Sequence, residues 1–177
     1  MSKIKILGLD LSLTSTGYCH NGEHGVISVS EKGPERLVSV SEKIKSIVLE
    51  KQIDVVVVEG YSFSSRNSQA HSIGELGGVV RVALYLQGIP YVEVPPTCRA
   101  KFATGKGNAG KTEVISSVSA RTGIIFPNPG ADDRCDAWVL EEMGLVRAGS
   151  PKFEWPEINL SSMDKVDWTA LDGKVKQ

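Results

Sequence analysis

The chain has 177 residues, 41% hydrophobic and 23% charged, with a formal net charge of −1. That length suits one well-buried α/β domain and excludes two large ones. No apolar run reaches the roughly 18 residues of a membrane span. The start MSKIKILGLD lacks a signal-peptide core and cleavage site, and Cys19, Cys98 and Cys135 show no CxxC spacing. These features speak for a reducing, cytoplasmic setting, against membrane association, and against a disulfide framework or zinc site.

Ile4–Leu9 is a short apolar run that ends on Asp10 and a Ser/Thr/Gly-rich turn. Such a run predicts a buried central strand, with Asp10 at the edge where open α/β sheets place their ligands. Thr16–His20 and Gly25–Ser30 flank Asn21-Gly22, a hairpin signal, so the first three strands read as an antiparallel meander. Gly33-Pro34 ends it, and Leu37, Val40, Ile44, Ile47 and Val48 recur at helical spacing. This helix leads to a second β-branched run, Val55–Glu59, which a right-handed crossover sets parallel to the first strand.

After the polar loop GYSFSSRNSQAHS, a helix is predicted from about Ile73 to Leu86, with Ile73, Leu76, Val80 and Leu84 as its stripe. Gly74, Gly77 and Gly78 weaken it by about 1 kcal/mol each relative to Ala, a cost that points to close packing against the sheet or a second copy. Tyr91–Val94 is a last short strand, Pro95-Pro96 starts a short helix, TGKGNAG is a loop, and Lys111 opens another helix with Val114, Ile115 and Val118 inward. The final helix spans about Asp132 to Val146, with Val139, Leu140 and Met143 toward the core. From 149 no period is sustained, so the division is a domain over 1–148 and a tail or arm over 149–177.

Asp10 and Glu59 end neighbouring central strands. Asp133 and Asp136 share one face of the last helix, with Asp132 and Asp136 as the alternative pair. First-turn acids commonly cap a helix, but Asp136 begins the apolar stripe and is aimed at the core. Four carboxylates with no fixed counter-charge need divalent cations, and hard oxygen ligands select Mg²⁺ or Mn²⁺. Two such ions about 4 Å apart suit in-line attack on a phosphodiester. Arg99, Lys101, Lys106, Lys111 and Arg121 stand against Glu113 alone, a basic stretch suited to a polyanion. Gly105–Thr112 fits G-x-x-x-x-G-K-[ST], but the P-loop needs a buried strand directly before it, and Arg99–Thr104 is not one. No nucleotide cofactor is expected.

In this order of parts the chain resembles the RuvC-type Holliday junction resolvases of the RNase H-like superfamily. GLDLSLTSTGY is similar to their opening strand, VVVVEGYSF to their second acidic strand, GKGNAGKTEV to their glycine-rich stretch and DRCDA to their D-x-x-D-A. The resemblance covers roughly residues 4–147 and has features of a divergent, phage-borne member. It implies an RNase H-like mixed five-stranded sheet with two further strands parallel to the first, flanked by helices. It implies Asp10, Glu59, Asp133 and Asp136 as ligands of two Mg²⁺, Mn²⁺ substituting, with Asp132 an extra candidate and Lys111 a catalytic lysine. Ala100 falls where the family has another lysine, flanked by Arg99 and Lys101. Tyr61 and Phe63 are candidates for the aromatic that opens the junction, and Arg66, Arg99, Lys101, Lys106 and Lys111 complete the DNA-facing set.

The implied activity is a structure-selective endonuclease, a homodimer that resolves four-way DNA junctions by paired nicks in a bacterial or phage-infected cell. The alternatives are an RNase H-like nuclease of RNA processing and a junction-binding protein without cleavage. A sugar-kinase or actin-like ATPase also places a phosphate loop after an Asp-ended strand, but 177 residues leave no room for two lobes.

Overall fold

Three short strands and one tight turn open the fold. The computed structural model describes residues 4–61 and 69–175, the side chains of 69 and 70 excepted. Strands β1 (Ile6–Asp10), β2 (Thr16–His20) and β3 (Glu23–Ile27) form the expected antiparallel meander. Asn21 and Gly22 have φ of 53° and 80°, the left-handed pair a type I′ turn requires. This turn uses only two residues, so His20 already pairs with Glu23 and β3 begins earlier than the alternation in Gly25–Ser30 indicates.

Helix α1 (Gly33–Lys51) carries the chain across to β4 (Val55–Glu59), which runs parallel to β1. Helix α2 (Gln69–Leu86) leads to β5 (Tyr91–Val94), parallel to β4, and the sheet order is β3-β2-β1-β4-β5. Helices α3 (Pro96–Thr104), α4 (Lys111–Thr122) and α5 (Ala131–Arg147) follow. Among the described residues no helix is long and apolar enough to cross a membrane.

The unbroken apolar character of β1 and β4 follows from cover on both faces. Leu7, Leu9, Val56 and Val58 meet Val40, Ile44 and Val48 of α1 and Leu76, Val80 and Leu84 of α2. Ile6, Val55 and Val57 point the other way, into a core with Val114 and Val118 of α4 and Trp138, Val139, Leu140 and Met143 of α5. Ile73, expected in the inward stripe of α2, is instead 37% exposed, and only Leu76, Val80 and Leu84 of that stripe are buried.

Two strand glycines set how closely α5 lies on the sheet. A Cβ at Gly8 would collide with the backbone carbonyl of Ala137 and come within 2.7 Å of the Glu141 nitrogen. One at Gly17 would collide with the carbonyl of Asp133. Absence of both side chains lets the α5 backbone rest directly on β1 and β2, which brings its first turns to the carboxyl end of β1.

The segment after Gly149, expected as a tail or arm, docks against the domain. It forms α6 (Glu157–Leu160), a 3₁₀ turn (Ser161–Lys165) and α7 (Thr169–Val175), pieces too short to show a hydrophobic period in sequence. The Trp155 ring lies 4.4 Å from that of Phe102, and its Nε1 donates to Glu142 Oε1 at 3.1 Å. Asn159 Nδ2 donates to the Phe102 carbonyl at 2.6 Å, and Arg147 pairs with Asp172 at 2.6 Å. Trp168 and Leu171 are buried in the α3–α5 core.

Candidate active site

The parallel register pairs Leu9 with Val58, so Asp10 and Glu59 come next on adjacent strands and emerge at one edge of the sheet. Glu59 is held further by β5, where it pairs with Val94 and the Gly60 amide donates to the Val94 carbonyl at 2.8 Å. The turn after β1 is tied to itself, with Thr16 Oγ1 donating to the Ser12 carbonyl at 2.9 Å. Ser15, in that turn, acts on the Asp133 carboxylate to lower its pKa. Asp136, one turn further along α5, is 5% exposed and faces inward, as its place in the apolar stripe predicts.

The expectation of carboxylates without a fixed counter-charge needs correction. Arg99 of α3 reaches into the cluster, its Nε donating to Glu59 Oε2 and its Nη1 to Asp136 Oδ1. Its side chain is only 11% exposed, so it is enclosed among the acids. The sequence marks it only as one of five basic residues in a polar stretch. Nothing in that spacing signals a partner 40 residues upstream or 37 downstream.

Arg99 does not fully compensate the acids. Burial, then the Glu59 and Asp136 charges, push the Asp10 carboxyl well above the usual range, with Arg99 acting against them. Burial raises Asp136 to about 7 although Arg99 pulls it down. Asp133 is raised as well, by burial, with Ser15 acting against it. Asp132 behaves differently. Lys111, at the start of α4, donates to its carboxylate and holds it below the usual range. The Lys111 side chain is 71% exposed, so this is a rim pair screened by solvent.

Among the described residues no three His, Cys, Asp or Glu side chains are gathered as a finished metal site. Arg99 takes one oxygen each of Glu59 and Asp136. The donor set nevertheless fits a hard divalent cation. It is all carboxylate oxygen and comes from three elements converging at one edge, where burial first and neighbouring carboxylates second raise Asp10 and Asp136.

Tyr61 is exposed, donates to the Gly74 carbonyl at 3.2 Å, accepts from Arg81 Nη1 at 3.0 Å and has the Arg81 guanidinium 4.5 Å from its ring centre. Lys101 is half-buried on α3, and Lys106 is exposed and pairs with Glu113 at 3.2 Å. Phe63 and Arg66 lie outside the described residues. Helix α3 stands where a P-loop needs a strand, and Gly105 serves as its left-handed cap with φ of 85°.

A family model described as "Crossover junction endodeoxyribonuclease RuvC" matches residues 6–140. The chain belongs to this RuvC family. A RuvC of Carboxydothermus hydrogenoformans is 33% identical over 115 residues, 65% of this chain and 72% of that one. One of Caldicellulosiruptor saccharolyticus is 28% identical over 168 residues, covering 88% of this chain and all of the relative. The solved Thermus thermophilus RuvC superposes with a TM-score of 0.65 at 23% identity, covering 85% of this chain and all of that one. The T. thermophilus RuvC in complex with Holliday junction substrate gives 0.66 at the same identity, over 86% of this chain. The fold is thus the RNase H-like one of RuvC, and the matched stretch contains Asp10, Glu59, Arg99, Lys111, Asp133 and Asp136.

Proposed function

We propose that this chain is a metal-dependent, structure-selective endodeoxyribonuclease that resolves four-way DNA junctions, acting as a homodimer that makes paired nicks. The observation that carries this reading is the convergence of Asp10, Glu59 and Asp136 from β1, β4 and α5 at one sheet edge, in a chain of the RuvC family. Asp10, Glu59, Asp133 and Asp136 are the metal ligands in this proposal, for two Mg²⁺ with Mn²⁺ as a substitute. Bound ions of this class activate water and neutralise the charge that develops on a phosphodiester.

The protein's own contribution is placement and charge. The rigid strand ends fix Asp10 and Glu59, while the α5 backbone, seated on Gly8 and Gly17, fixes the two aspartates of that helix. Lys111, exposed at the opening of α4, is positioned to offset phosphate charge, and its present bond to Asp132 keeps it pointed at the acidic edge. Lys106 and the backbone N–H groups at the start of α4 extend this anion-attracting rim.

The deciding measurement is cleavage of four-way, flap and linear duplex DNA with Mg²⁺ by the wild type and by Asp10→Asn. Paired nicks in the four-way junction, lost in Asp10→Asn while junction binding stays equal or tightens, are expected. Near-normal nicking by Asp10→Asn would overturn the metal assignment, and preference for linear DNA or for RNA would overturn the substrate.

A further inference from the structure

Glu59 and Asp136 come from different elements, yet both commit an oxygen to the same guanidinium. Their side chains are 20% and 7% exposed, and that of Arg99 is 11% exposed, so the three-way contact is enclosed. Without it, Asp10, Glu59 and Asp136 would face one another with no nearby cation of comparable burial among the described residues, because Lys111 is occupied on the rim with Asp132. Removing one partner of an enclosed ion pair leaves charge uncompensated and is strongly destabilising. The fork geometry of Arg is what allows one cation to serve two carboxylates at once, which an ammonium does less well.

In the nuclease reading the same two carboxylates are metal ligands, and Arg99 engages one oxygen of each. Arg99 and a metal ion therefore compete for Glu59 and Asp136, and metal entry must weaken or break both ion pairs. In the nuclease reading the DNA phosphate comes to this same edge, and the planar donors of a displaced guanidinium match a phosphate bidentately. We propose that Arg99 is a built-in counter-cation that holds Glu59 and Asp136 in the metal-free protein, competes with the divalent ion for them, and on release binds a phosphate of the DNA. This rests on the nuclease reading above and deepens it, by linking metal loading to substrate capture through one side chain.

Direct metal binding, without turnover, tests the idea. Free Mn²⁺ is counted by electron paramagnetic resonance in titrations of wild type, Arg99→Met and Arg99→Gln without DNA. Both variants should bind Mn²⁺ more tightly than the wild type, on the order of 5- to 150-fold, the usual range for coupling between two ligands. Arg99→Gln keeps an N–H donor for a buried carboxylate and is the variant to read if Arg99→Met does not fold without metal. In the wild type itself, the Arg99 Nε–H resonance should shift when Mg²⁺ is added. With Ca²⁺ in place of Mg²⁺, Arg99→Gln should bind the four-way junction several-fold more weakly than the wild type.

Mn²⁺ affinity of Arg99→Gln equal to or below that of the wild type would overturn the competition. Unchanged junction affinity would overturn the phosphate role. Asp10→Asn separates the two levels of failure. If it abolishes Mn²⁺ binding while Arg99→Gln behaves as wild type, only the role of Arg99 falls. If it leaves Mn²⁺ binding intact, the metal-site reading itself falls.

Discussion

Asp136 sits under two opposing demands: the apolar core wants it neutral, and Arg99 wants it charged. Burial is the larger influence, and the carboxyl is raised from 3.8 to about 7. Asp10 moves in the same direction for the same first reason. A carboxyl raised by folding binds more protons in the folded than in the unfolded state, so its stabilising contribution is full below the unfolded value and is lost as pH rises. In EDTA, the melting temperature should therefore fall between about pH 4 and 7, by several degrees for a chain of this size. Asp136→Asn should flatten that slope, and Mg²⁺ should restore stability at pH 8. A metal-free melting temperature that climbs across this window would contradict the burial of these acids. The neighbouring pair Asp132 and Asp133 separates on similar grounds. Asp132 is engaged by Lys111 on the rim, whereas Asp133 faces Ser15 and lies over Gly17. Asp133→Asn should consequently reduce cleavage by orders of magnitude and Asp132→Asn by no more than about tenfold, a gap of at least 1.4 kcal/mol in barrier; the reverse order would move the ligand role to Asp132. The acids were legible in sequence because each ends a hydrophobic run or begins a stripe. Arg99 was not, since a basic residue in a short polar helix carries no mark of the buried partner it will find in space.

At the scale of elements, the reach of α5 depends on what β1 and β2 omit. Gly8 and Gly17 carry no Cβ where the helix backbone crosses, and Gly144 plays the matching part from the helix side, 3.0 Å from Ile6 Cγ2 and Val57 Cγ2 in the same sense. Gly8→Ala sets a methyl against backbone, which cannot rotate away. It should destabilise the protein by about 1–3 kcal/mol or more, as overpacking does. Urea denaturation measures that loss, and cleavage at a temperature where Gly8→Ala remains folded should be reduced as well, because α5 carries Asp133 and Asp136. Wild-type stability and activity in Gly8→Ala would mean that α5 is not held by this contact. The strands, the hairpin and helices α1 to α5 were readable from period and turn chemistry. The close seating of α5 was not, because a glycine inside a strand signals close approach without naming what approaches. The docked arm escaped for another reason. Its contacts are single anchors, Trp155 on Phe102 and Asn159 on the Phe102 carbonyl, joined by helices of four to seven residues.

For the whole molecule, two nicks on opposite strands require two active sites, and each chain offers one acidic edge. The surface of α2 is the strongest candidate for bringing two copies together. Gly74 and Gly78 would place a Cβ in open space, and Val82 and Tyr85 continue outward at 58% and 80% exposure, with Leu86 beside them at 72%. Steps of four, four and three keep Gly74, Gly78, Val82 and Tyr85 on one helix face. The glycines permit close backbone approach, and the apolar side chains give the partner something to bury. Gly77, grouped with them in sequence, serves a different purpose: a Cβ there would collide with the Tyr61 hydroxyl and crowd the Arg81 guanidinium inside the same chain. The two positions should accordingly respond in opposite ways. Gly78→Leu should shift the light-scattering mass at micromolar concentration from dimer to monomer while keeping the monomer fold, since replacing a helical glycine gains on the order of 1 kcal/mol. Gly77→Ala should lower the melting temperature and leave the dimer mass unchanged. A wild-type monomer at that concentration, or a dimer indifferent to Gly78→Leu, would remove α2 as the interface and require paired nicking to be arranged by another surface.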